Sequence, residues 1–114
     1  AQGGDGRSYP WGDDPALGNC YSAYNHDTGR AQVARTVGSF PADCSVQGVY
    51  DLAGSVAEFV DGSWIDHPTF ALYCGGSYGD RDPQRFTTTA EGVVDVRQVH
   101  PRIGIRLICA VPEP

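Results

Sequence analysis

The best strand patterns in the chain lie in its second half. Phe70 to Tyr78 and Ile103 to Val111 combine β-branched, aromatic and aliphatic residues as half-buried strands do, and both are read as strands. The Gly75-Gly76 pair inside the first predicts a kink or a close backbone approach. Val49 to Val60 alternates small apolar and polar residues without a clean helical or strand period, so it reads as turn and short strand folded around something. Val37 to Phe40 is a short extended piece closed by Pro41, because a residue before proline avoids helical geometry. Elsewhere no period emerges. Ala1 to Gly18 reads as ordered loop around Tyr9 and Trp11, with a turn at Asp13-Asp14-Pro15. Asn19 to Gly29 is loop, and Gly79 to Pro101 is a long connection that is polar at both ends.

A chain of 114 residues has room for one core. Fifteen glycines and eight prolines favour turns and short strands over helix bundles. The net charge of −6 repels phosphate backbones, which argues against nucleic-acid binding. No run approaches the roughly 18 apolar residues of a membrane span, and the start lacks the order of a signal peptide. All eight basic residues are arginine and there is no methionine, so the chain reads as processed or cut from something longer. The Ala-Gln start fits either a signal-peptidase product or an arbitrary boundary.

Cys20, Cys44, Cys74 and Cys109 are widely spaced and form no zinc-type cluster. They read as two disulfides or as four buried thiols. If the strands holding Cys74 and Cys109 ran antiparallel, those two would approach and leave Cys20 for Cys44. Oxidised pairs would place the protein outside the cytosol, periplasmic or secreted.

Four signatures occur in order: GRSYPWGDD from Gly6, GVYDLAGSVAEF from Gly48, CGGSY from Cys74 and IGIRLICA from Ile103. Together they resemble the second half of a formylglycine-generating-enzyme (sulfatase-modifying factor) domain, a family rich in bacterial members. The resemblance implies an α+β, C-type-lectin-like fold, loop-rich with a small antiparallel sheet. Known members have a domain roughly twice this length. Residues 1–114 therefore correspond to a reduced single domain, or to a C-terminal half whose N-terminal half is missing or supplied by a partner chain.

The same resemblance supplies candidate sites. A calcium loop would fall on Asp51, Gly54, Val56 and Glu58, with side-chain oxygens at the ends and carbonyls between, as a hard cation requires. A second, less well-spaced calcium set would be Asn19, Cys20, Asp27 and Gly29. Oxidase members carry a copper-binding cysteine pair two and about seven residues after the GGSY tyrosine. Here those positions hold Asp80 and Arg85, which cannot supply the thiolates that monovalent copper prefers. His26, His67 and His100 are scattered singly, unlike the iron-binding histidines of the related sulfoxide synthases.

Arg81, Arg85, Arg97, Arg102 and Arg106 crowd the last third. The family pattern implies that Arg106 is an internal brace to a carboxylate such as Asp51 or Glu58. Tyr78, Arg81 and Arg85, with Phe86 and Thr87 to Thr89, form a candidate binding groove. The expected function is a non-catalytic, calcium-stabilised binding or scaffold domain of a larger extracytoplasmic protein, with a protein partner. The rivals are an oxidoreductase module completed by an upstream half, and an architectural subunit of a membrane-associated complex.

Overall fold

The structure, a computed structural model, describes residues 4–15, 34–63 and 67–113. Four strands form one sheet: β1 (Ala57–Ser63), β2 (Phe70–Cys74), β3 (Glu91–Asp95) and β4 (Ile103–Gly104), in the order β3-β2-β1-β4. β2 pairs antiparallel with β3 over five positions, from Phe70 opposite Asp95 to Cys74 opposite Glu91. It pairs antiparallel with β1 through Glu58–Cys74 and Phe59–Tyr73, after which the register shifts before Ser63–Ala71.

β4 runs parallel to β1, aligning Ala57 with Ile103 and Glu58 with Gly104. The sheet is therefore mixed, not purely antiparallel. The strand expected over Ile103 to Val111 shortens to two residues. Beyond Gly104 no described strand is available to pair, and strand propensity is realised only where a neighbour covers the pleated face. Ile105, Leu107, Ile108 and Val111 are left 71 to 94% exposed.

This topology also removes the basis for joining Cys74 to Cys109. Cys74 lies between Glu58 and Glu91 across the sheet, whereas Cys109 follows a strand that does not neighbour β2. Cys44, Cys74 and Cys109 are free thiols, and Cys20 lies outside the described residues.

No α-helix occurs among the described residues, so the helical part of the α+β expectation is not met there. A 3₁₀ turn, Pro83–Phe86, begins at Asp82, whose Oδ1 accepts from the Gln84 amide at 3.0 Å. It carries Phe86 into the core with Tyr9 and Ala53, and Trp11 packs against them with its ring stacked on Tyr9 at 5.3 Å. Burying Phe86 contributes about 2–3 kcal/mol.

The kink expected at Gly75-Gly76 has a clear cause. Gly75 adopts a left-handed φ of 80°. A Cβ on Gly76 would meet the Phe86 ring and the Arg85 carbonyl at 2.8 Å. Glycine thus lets the end of β2 press against the aromatic core.

Candidate functional site

Hydrogen bonds tie the second signature to the third, and the first to Thr88 beyond the 3₁₀ turn. The Gly54 amide donates to the Gly76 carbonyl at 3.1 Å and the Tyr78 amide to Ser55 at 2.8 Å. Thr88 donates from its amide to Ser8 at 2.8 Å and from its hydroxyl to Arg7 at 3.0 Å. Two polar assemblies result, one on either side of β4.

The first is built on the turn that runs from Asp43 to Glu58. Asp43 is 1% exposed; its carbonyl accepts from the Asp51 amide and its Oδ2 from the Ala53 amide, both at 3.0 Å. Its Oδ1 has no partner. Burial pushes this carboxyl up to about 7, with the Asp51 charge adding to the rise, while the Ala53 amide and Arg106 oppose it. Asp51 takes a left-handed φ of 57°, which an aspartate tolerates, and its Oδ2 accepts from the Gly38 amide at 2.7 Å.

Arg106 closes this turn. Its Nε donates to Glu58 Oε2 at 2.8 Å and its Nη2 to Glu58 Oε1 at 2.7 Å. Nη2 also reaches the carbonyls of Tyr50 at 3.0 Å and Asp51 at 3.3 Å. The paired Glu58 carboxylate holds the guanidinium above its ordinary pKa. The brace expected of Arg106 is thus made to Glu58 and to the backbone of Asp51.

Of the calcium set Asp51, Gly54, Val56 and Glu58, the two carboxylates are engaged within the protein. Both Glu58 oxygens and one Asp51 carboxylate oxygen already accept hydrogen bonds. Among the described residues, no group of three or more His, Cys, Asp or Glu side chains could hold a metal. The second set, Asn19, Cys20, Asp27 and Gly29, lies outside the described residues, as does His26.

The second assembly is an open cleft of about 400 Å³. Its polar groups are Tyr73, Ser77, Asp80, His100 and Arg102, set against an apolar wall that includes Ala57, Val94 and Ile103. Asp80 folds back on Ser77: its Oδ2 accepts from the Ser77 amide at 2.8 Å and hydroxyl at 2.7 Å. The Asp80 amide returns a bond to the Ser77 carbonyl at 3.0 Å. The His100 Nε2 lies 2.9 Å from the Asp95 carbonyl, to which that nitrogen donates. Arg102 lies against Gly79, where a side chain would collide with it, and it pairs with no carboxylate among the described residues.

Of the groove expected at Tyr78, Arg81 and Arg85, no member lines this cleft. Arg81 and Arg85 are exposed on the loop and 3₁₀ turn beyond it. Phe86 is core, and Thr87 caps the turn through a hydroxyl bond to Gln84 at 2.9 Å. Sequence reasoning missed Ser77, His100 and Arg102 as a group. The His-Pro-Arg step at His100 to Arg102, just before a strand, was the available signal.

A small mixed sheet, long loops and a glycine-shaped aromatic core define a loop-dominated domain with a polar cleft beside its short edge strand. The chain matches the sulfatase-modifying factor enzyme 1-like domain over residues 1–111 and belongs to that family, whose fold is C-type-lectin-like. A search of curated proteins finds no match.

Proposed function

We propose that this chain is a non-catalytic recognition domain that binds an extended peptide segment of a protein partner in the cleft beside β4. The observation that carries this reading is the state of Asp80. It stands where the oxidase members carry the first cysteine of their pair, and it is engaged with Ser77. Arg85, at the second position, is exposed on the 3₁₀ turn.

The chemistry of the cleft suits a peptide. Arg102 offers a cation for a carbonyl or carboxylate, Asp80 Oδ1 an acceptor for an amide, and the valine and isoleucine wall a seat for an apolar side chain. The exposed aliphatic run after Arg106 agrees with a domain that works while attached to further protein.

Two measurements test the reading. Oxygen consumption with copper and a thiol peptide should stay at background, and turnover would overturn the non-catalytic assignment. On an array of capped hexapeptides, the sequences retained by the wild type should be lost by Arg102→Ala. Equal retention by both proteins would remove the cleft from the proposal.

A further inference from the structure

In the turn from Tyr50 to Glu58 a carboxylate and two backbone carbonyls converge on one point, with a second carboxylate, Asp51, in the same turn. That point is occupied by a side chain of the same chain. We propose that the Arg106 guanidinium is the resident cation of this turn, so that the turn is organised without calcium.

The geometry supports this in three ways. Arg106 makes a two-pronged contact with Glu58, using Nε and Nη2 against separate oxygens. The same Nη2 faces the carbonyls of Tyr50 and Asp51, so one group contacts the oxygen types that a hard cation gathers. Asp51 points one carboxylate oxygen away to the Gly38 amide, which commits it to holding the backbone of the preceding loop. The Arg106 and Glu58 side chains are 35% and 22% exposed, so the pair is partly shielded from solvent. A planar guanidinium also fixes orientation in a way that a spherical ion does not. It carries a single charge, which matches the one carboxylate that it contacts directly.

The test is thermal melting of the purified protein with added calcium and with chelator, on the wild type, Arg106→Gln, Glu58→Gln and the double variant. The wild type is expected to melt at one temperature in both conditions. Occupancy of a calcium site at a hundredfold excess over Kd would raise Tm by on the order of 10 °C. A calcium shift that Glu58→Gln abolishes would overturn the proposal. A shift that Glu58→Gln leaves intact arises elsewhere and agrees with it.

The second arm tests the pairing itself. Each single variant should lower Tm by several degrees, and the double variant should lose little more than either one. Additive losses would show that Arg106 and Glu58 do not act together and would sink the assignment. If a variant does not fold, the wild-type calcium comparison still decides whether an ion organises this turn.

Discussion

Arg102 and Arg106 flank the two residues of β4 and meet opposite fates. Arg106 gives hydrogen bonds to one carboxylate and two carbonyls, whereas Arg102 lies at an open cleft with no carboxylate partner among the described residues. The strand between them pairs with β1, which also supplies Glu58. Two arginines of the same chemistry thus divide into a brace and a candidate contact. The difference is set by what β1 and its preceding turn present to each.

The largest expected effect probes the core that the two regions share. Phe86→Ala should cost about 3–5 kcal/mol in urea unfolding and disturb both turn and cleft, since Phe86 packs against Gly76 and Ala53. A loss under about 1 kcal/mol would mean that the regions do not depend on a common core.

Next comes Asp43, under the closed turn. Its folded pKa of about 7 lies above the ordinary 3.8, so folding takes up a proton between those values. The stability that this group contributes is fully present below pH 3.8 and is lost as pH rises through 7. The span corresponds to about 4 kcal/mol at most. Asp43→Asn should flatten this dependence and stabilise the protein at pH 8, as read from melting curves across pH. An unchanged slope would show that Asp43 is not the titrating group.

Arg106→Gln should follow with a loss of about 1–3 kcal/mol, kept below the value for a fully buried pair by the partial exposure of both side chains. Arg102→Ala completes the contrast. It should change stability by less than about 0.5 kcal/mol, because no ion pair is broken, yet lower peptide binding roughly tenfold. If Arg102→Ala destabilised the fold as much as Arg106→Gln, the division between brace and contact would collapse.

Some of this was legible in the residues. The kink at Gly75-Gly76, the turn-and-strand character before Val60 and the brace role of Arg106 all follow from local chemistry or from the family pattern. The direction of β4 did not, because the letters from Ile103 to Val111 suit a strand in either orientation and of any length. With β4 parallel to β1, the Cys74–Cys109 pairing lost its geometry, and a cleft whose lining runs from Ala57 to Ile103 lies apart from Tyr78, Arg81 and Arg85.

By itself, the sequence determined the family, the absence of thiols at Asp80 and Arg85, and the glycine pair at the kink, since each depends only on which residues stand where along the chain. Tertiary structure decided which arginine meets which carboxylate, whether Asp43 is buried, and where a cleft opens. Those outcomes depend on distances between residues up to 56 positions apart, as between Tyr50 and Arg106. No local pattern encodes such distances, because they are set by how β1, β2 and β4 pack.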